Sequence, residues 1–279
     1  MQQVFKDLNL QKKFDEQGFV LLDLLSEKDI ESLRSVYAQH FPATKSGFFI
    51  NIWDNNFAER KAISYKTKKI LTPYTNSLFD NFKFVVSVFT AKKAKAVENF
   101  ALHQDITITD ESLFPSISLW CPLQDVDENN GALSVVPGSH RIPAIPRGMN
   151  IPPQIEKISE LLKEKYTRII PMKTGQVIIW NHKLIHGSGV NNTQSDRIAS
   201  VSLLMPEKAP VLIYYSDKKD NSELDAEVFE LEEDYYNYYE VTQKPSGEKV
   251  SLYKTEKIIL TDFSEKDFEY ILALKLLQK

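Results

Sequence analysis

The sequence predicts a mainly β fold, a sandwich or barrel with helices packed on it. Three observations predict it. Short runs rich in Val, Ile, Phe and Thr recur between residues 82 and 206, separated by polar, Pro or Gly segments. Crossover helices do not alternate with them, which argues against a parallel α/β sheet. Helical periodicity is concentrated before residue 81 and in one insertion near 142–168.

Along the chain, "FVLLDLL" (19–25) is a strand-like run. Ser26 is placed to cap the following helix, and Asp29 completes a weak capping box. Ile30, Leu33, Val36 and Tyr37 recur at helical spacing, which predicts a helix over 27–39 ending at Pro42. Residues 59–80 read as mostly helical with Ile63, Ile70, Leu71, Tyr74 and Leu78 inward, and Pro73 permits a break. "FKFVVSVFTA", "ENFALHQDITI", "SISLWCPLQD" and "ALSVVPGSH" then read as strands. "QIEKISELLKEKY" is a helical, lidlike insertion with Ile155, Ile158, Leu161 and Leu162 on its apolar side. Strands resume in "GQVIIW" and "RIASVSLLM", with "HGSGVNNTQSD" as the turn between them.

Beyond residue 206 the acidic, tyrosine-rich "DKKDNSELDAEVFELEEDYYNYYEV" reads as an amphipathic element covering the sheet; an interface or a substrate wall is the other use of its tyrosines. "QKPSGEKV" is a turn and "SEKDFEYILALKLL" a capped helix. The expected organisation is a single domain over 1–279. Its β core runs over about 82–206, with helical support from 1–81, the insertion at 142–168 and an extension at 207–279.

Hydrophobic residues at 42% and charged residues at 26% describe a soluble folded chain. A formal charge of -4 gives no electrostatic reason to expect nucleic acid. No stretch approaches the roughly 18 apolar residues of a membrane span, and "MQQVFKDLNLQKKF" lacks a signal-peptide core. The single cysteine, Cys121, excludes an intrachain disulfide and fits a reducing compartment, so a cytoplasmic protein is expected. Composition fixes no oligomeric state.

The chemistry-bearing stretch is "ALHQDIT". Residues two apart on a strand share a face, so His103 and Asp105 stand side by side while Gln104 points away. An imidazole nitrogen and a carboxylate oxygen suit a divalent first-row metal. "WNHKLIHGSG" offers His182 and His186 as the third ligand, and their even spacing leaves the choice open. Two histidines and a carboxylate leave open positions on the metal, the arrangement of non-heme iron(II) oxygenases. The same ligands accept zinc, with a water for hydrolysis. A noncatalytic β-sandwich binding protein is the third reading. Arg197, eleven residues beyond His186, could return on a strand to the same end of the sheet and hold a dicarboxylate through two parallel hydrogen bonds.

With "LHQD", "SLWCPLQDVDENNGALSVVPGSH" and "IIWNHKLIHGSGVNNTQSDR" in that order, and "FDEQGFVLLDLLS" ahead of them, the chain resembles the phytanoyl-CoA dioxygenase family over roughly residues 10–206. The resemblance implies a double-stranded β-helix (jelly roll, cupin-like) that uses Fe(II), 2-oxoglutarate and O2. It implies hydroxylation of an unactivated C–H bond of a small-molecule metabolite, with release of succinate and CO2. It makes His103, Asp105 and His186 the metal ligands and Arg197 the anchor of the far 2-oxoglutarate carboxylate. Asn191 shapes the loop beside it, Trp120 borders the cosubstrate, and Asn99 is the candidate for a further cosubstrate contact. His182 then supports a loop or lines the entrance. Because Asp105 is retained, hydroxylation is favoured over halogenation, in which a small residue replaces the carboxylate; desaturation and ring closure stay compatible. Gly175-Gln176 departs from the family's common Gly-Asp and is expected to alter a turn contact only.

The insertion and "GFFINIWDNNF" (47–57) are the expected lid and specificity surfaces. Asn51, Trp53, Asn55 and Arg147 are their expected substrate contacts. His140 is expected to be structural, His40 to cap a helix end, and "AKKAKA" to be a solvated hairpin.

Overall fold

The computed structural model describes residues 2–41, 47–143, 145–148, 150–217, 223–241, 243–261 and 263–277. Asp7 accepts hydrogen bonds from the amides of Asn9 and Leu10 and so opens α1 (Leu8–Gln17), which leads into β1 (Phe19–Asp23). Ser26 caps α2 (Glu27–His40) through the Asp29 amide, as its sequence position predicts. The predicted stop, Pro42, lies outside the described residues; the helix closes with Phe41 as its C-cap. After β2 (Phe48–Ile50), α3 (Phe57–Leu78) runs unbroken through Pro73. Burial of Ile63, Thr67, Leu71 and Thr75 along one face offsets the hydrogen bond that the proline removes.

The β region follows as β3 (Phe82–Lys92), β4 (Phe100–His103), β5 (Ile117–Pro122) and β6 (Leu133–Val135). The insertion carries α4 (Ser159–Lys165), and the strands resume as β7 (Arg168–Ile170), β8 (Gln176–Asn181), β9 (His186–Ser188) and β10 (Arg197–Pro206). The stretch read as a turn after Trp180 thus opens with a short strand, β9, paired on both sides. Three residues are too few to show a period.

Two sheets make the body. One has the order β1-β8-β5-β10-β3-β2 and the other β4-β9-β6-β7, the two-layer plan of a jelly roll. Two strands from before residue 82 therefore join the larger sheet. Its β5 is buried throughout, and the alternation explains how. Ile117, Leu119 and Cys121 pack with Leu33, Ile63 and Leu71 of the helices, while Trp120 packs with Leu133, Val135 and Ile170 of the smaller sheet.

The extension adds a third sheet, β11 (Val211–Tyr215), β12 (Glu223–Leu231) and β13 (Val250–Ile259), and then α5 (Glu265–Leu277). The sequence reading leaves these three strands unassigned: it takes the acidic, tyrosine-rich stretch as one amphipathic element, although β12 within it alternates exposed and buried residues from Glu223 to Ala226. The predicted α5 cap is present, with the Ser264 hydroxyl accepting from the Asp267 amide. Ile155, Ile158 and Leu162 of the insertion pack on Phe268 and Ile271 of α5. That helical part is anchored to the extension rather than laid over the cavity; only its first limb, at Arg147, Gly148 and Asn150, lines the cavity. No helix among the described residues is long and apolar enough to cross a membrane.

Candidate active site

His103 and His186 face each other across the β4·β9 pair. Gly187 permits the close approach: a Cβ there would lie 2.6 Å from the Phe100 carbonyl oxygen. Gly187→Ala is expected to push β9 off β4 and weaken Fe(II) binding at least about tenfold, read by anaerobic titration. Asp105 lies just beyond the end of β4, so strand alternation alone does not place it. Its amide donates to the His182 carbonyl (3.0 Å), which turns the carboxylate toward the two imidazoles.

One Nε2 or carboxylate oxygen from each of His103, Asp105 and His186 lies within 4.8 Å of the others. Asp105 Oδ1 is 3.9 Å from His103 Nε2 and 3.7 Å from His186 Nε2. Each imidazole is fixed from behind. Nδ1 of His103 donates to the Ala101 carbonyl (2.9 Å) and Nδ1 of His186 to the Leu184 carbonyl (2.9 Å), since a carbonyl can only accept. That tautomer leaves both Nε2 lone pairs facing Asp105. The second carboxylate oxygen, Oδ2, accepts from Ser118 Oγ (2.7 Å) and Trp180 Nε1 (2.8 Å), leaving Oδ1 as the open donor.

Burial raises the Asp105 carboxyl, but His186, His182, His103 and the Ser118 hydroxyl outweigh it and hold the group well below the usual carboxylate range. Burial and the neighbouring His186 push His103 down to about 4. Its neutral form persists in the fold while the unfolded chain takes up a proton near 6.5. His103 therefore contributes stability present above about pH 6.5 that is lost as the pH falls toward about 4. Thermal melts of the metal-free protein are expected to shift downward over that window, and less so for His103→Gln.

His182 is fully buried, bonded through Nδ1 to the Ile106 carbonyl (3.2 Å) and 4.0 Å from Asp105 Oδ2. It stands behind the triad and supports it, away from the entrance. His140 is likewise interior, with Nε2 on the Asp15 carbonyl (3.2 Å), and burial pushes it down to about 3.

A cavity of about 530 Å³ opens from the triad. Arg197 lines it, 2% exposed, with its guanidinium 5.6 Å above the Trp120 ring. Among the described residues its hydrogen bond is from Nη1 to Thr90 Oγ1 (3.3 Å), and Nε has no partner. Burial alone pulls it down to about 10, so the group stays a cation. A buried cation without a carboxylate is costly unless an anion joins it.

Asn191 shapes the adjoining loop. Its amide donates to the carbonyls of Lys92, Lys93 and Ser195 while its oxygen accepts from Thr193. It does not line the cavity, and neither does Asn99, which is exposed. Asn51 is buried with its oxygen accepting from the Phe89 amide (2.7 Å), Asn55 is exposed, and neither reaches the cavity. Trp53 and Arg147 do. Both terminal nitrogens of Arg147 bond to Glu111 (2.8 and 2.6 Å), and Nε donates to the Asp105 carbonyl (2.7 Å), so its guanidinium braces the triad. Gln176 bonds to Asp23 (2.9 Å) and the Lys173 amide (2.8 Å), a turn contact as expected from its departure.

Sequence reasoning missed Ser118, Trp180, Glu111 and Arg60. The first three act on Asp105 or Arg147 from other strands and loops, a relation that local spacing does not carry. Arg60, fully buried on α3, donates to the carbonyls of Tyr236, Tyr239 and Asp54 and so ties two cavity walls together. Trp180→Phe keeps an aromatic ring and removes a donor to Asp105; Fe(II) affinity is expected to fall about tenfold, by anaerobic titration.

A family model described as Phytanoyl-CoA dioxygenase (PhyH) matches residues 14–199. The peroxisomal phytanoyl-CoA dioxygenase of Bos taurus is 29% identical over 162 residues, 54% of this chain and 46% of that one. The Rattus norvegicus enzyme is 30% identical over 118 residues, 38% of this chain and 33% of that one. The chain thus spans less than half the length of these relatives. Among solved structures, HygX from Streptomyces hygroscopicus, with nickel, 2-oxoglutarate and hygromycin B bound, superposes with a TM-score of 0.52 at 15% identity, covering 72% of this chain and 88% of that one. The 2-oxoglutarate-dependent carbocyclase SnoK from nogalamycin biosynthesis gives 0.53 at 17%, covering 72% and 84%. AviO1 from Streptomyces viridochromogenes gives 0.52 at 18%, covering 75% and 99%. The structural likeness establishes the cupin-like fold, and the family match spans more than half of the sequence: the chain belongs to the phytanoyl-CoA dioxygenase family.

Proposed function

We propose that this protein is an Fe(II)- and 2-oxoglutarate-dependent dioxygenase that hydroxylates an unactivated C–H bond of a small molecule, releasing succinate and CO2. The observation that carries the reading is one cavity holding both a two-histidine, one-carboxylate cluster and a buried arginine without an anionic partner among the described residues. The donor set fits iron, and its open face fits a bidentate cosubstrate. Iron, when bound, supplies reactivity toward dioxygen and the 2-oxo acid that no side chain possesses.

The residues do the rest. His103, Asp105 and His186 offer three pre-oriented ligand atoms, and Trp180 and Ser118 restrain the second Asp105 oxygen. Arg197 takes the far carboxylate of 2-oxoglutarate, which orients its 2-oxo acid end toward the triad. Trp120, Val88 and Leu133 of the cavity wall keep bulk water from the reacting centre.

A zinc hydrolase would use the same ligands but gives Arg197 no partner. Metal analysis with oxygen-consumption and succinate assays decides. Coupled O2 use and succinate release with Fe(II) support the oxygenase; turnover with Zn(II) and no 2-oxoglutarate requirement overturns it. The compartment we assign is the cytoplasm, on the single buried Cys121.

A further inference from the structure

We propose that the organic substrate is an uncharged, predominantly apolar small molecule enclosed between the Phe48–Trp53 segment and the tyrosine-bearing C-terminal extension; this rests on the oxygenase reading above. The first observation is charge accounting. The acidic and basic side chains that line the cavity are His103, Asp105, His186, Arg197 and Arg147. The first three form the triad, Arg197 is taken by the cosubstrate, and the Arg147 fork is filled by Glu111. A charged group on the substrate would therefore be buried without a partner among the lining residues, and such burial is strongly unfavourable.

The second observation is the wall itself. An aromatic line runs from the mouth to the triad. Trp53, 48% exposed, meets Phe48 edge-on at 6.0 Å; Phe48 meets Phe100 at 5.0 Å; Phe100 meets the His103 ring at 4.4 Å. A half-exposed tryptophan at the mouth of an apolar cavity offers a surface that a ligand can cover. The opposite wall comes from the extension, with Ile213, Tyr236, Tyr239 and Val241. Arg60 fixes that wall relative to the Asp54 end of the first one.

Size gives the third constraint. The cavity of about 530 Å³ includes the triad and Arg197, so the cosubstrate occupies part of it. What is left encloses a compact molecule or moiety.

The test uses the full chain with N-phenyl-1-naphthylamine, an uncharged apolar fluorophore, and the pair 1-naphthol and 1-naphthyl phosphate as competitors. Competition is run anaerobically with Fe(II) and saturating 2-oxoglutarate. The dye is expected to bind saturably at one site, and 1-naphthol to displace it at least tenfold more tightly than the phosphate. Ile52→Lys and Val241→Lys, both at partly exposed wall positions, are each expected to weaken the dye at least tenfold while the protein still melts cooperatively. Absence of saturable dye binding, equal or tighter binding of the phosphate, or dye affinity indifferent to both variants overturns the substrate class. Failure of 2-oxoglutarate to bind in a separate titration overturns the oxygenase reading instead, and the dye titration on the metal-free chain reports on the cavity independently.

Discussion

Asp105→Ala is expected to lower Fe(II) affinity by more than about 100-fold and to abolish succinate formation, because it removes the one anionic ligand of the cluster. The loss is compounded locally. Trp180 Nε1 and Ser118 Oγ, which now donate to Oδ2, are left without an acceptor in a buried site, at a cost of about 1–3 kcal/mol in stability. Asp105→Asn separates the two effects: its amide oxygen in the place of Oδ2 still accepts from both donors while the charge is withdrawn. Iron titration under anaerobic conditions and a thermal melt read the two quantities apart. Unchanged Fe(II) affinity in Asp105→Ala would rule the residue out as a required ligand.

Arg197→Ala is expected to behave in the opposite way toward stability. The guanidinium is buried, and its hydrogen bond among the described residues is a long one to Thr90, so its removal relieves an uncompensated charge. The melting temperature of the metal-free variant should equal or exceed that of the wild type. Its requirement for 2-oxoglutarate should rise about 10- to 100-fold, the equivalent of about 1.5–3 kcal/mol for a lost charge-assisted hydrogen bond. Fe(II) affinity in the absence of 2-oxoglutarate should not change. Equal 2-oxoglutarate binding in the two proteins would remove Arg197 from the clamp.

Much of the scaffold was legible from periodicity. The Ser26 cap, the amphipathic helix after it, and the runs that became β3, β5, β8 and β10 each carry a local pattern that the fold repeats. Strands β11 to β13 were not assigned: β11 is a short buried run without alternation, β12 alternates but stands in an acidic, tyrosine-rich stretch that reads as one amphipathic element, and β13 is largely exposed. The lidlike reading holds for the first limb of the insertion, at Arg147, Gly148 and Asn150, and fails for its helical part for a related reason. Its apolar stripe was visible, but the surface it covers, Phe268 and Ile271, lies about a hundred residues away in the sequence.

For the site, the residue types of the triad and of Arg197 were written in short motifs, and the structure brings them to one cavity. Among the residues expected at the substrate, Asn51 and Asn55 do not reach it, whereas tyrosines of the extension do. The sequence by itself determined which donor chemistry is available and roughly which strands carry it, since ligand type and alternation are local properties. Tertiary structure alone decided which carboxylate oxygen faces the imidazoles, that Arg147 is already paired, and that the far end of the chain closes the cavity. Those facts depend on distances between segments remote in sequence, and such distances are set only when the two sheets and the helices bury their apolar faces together.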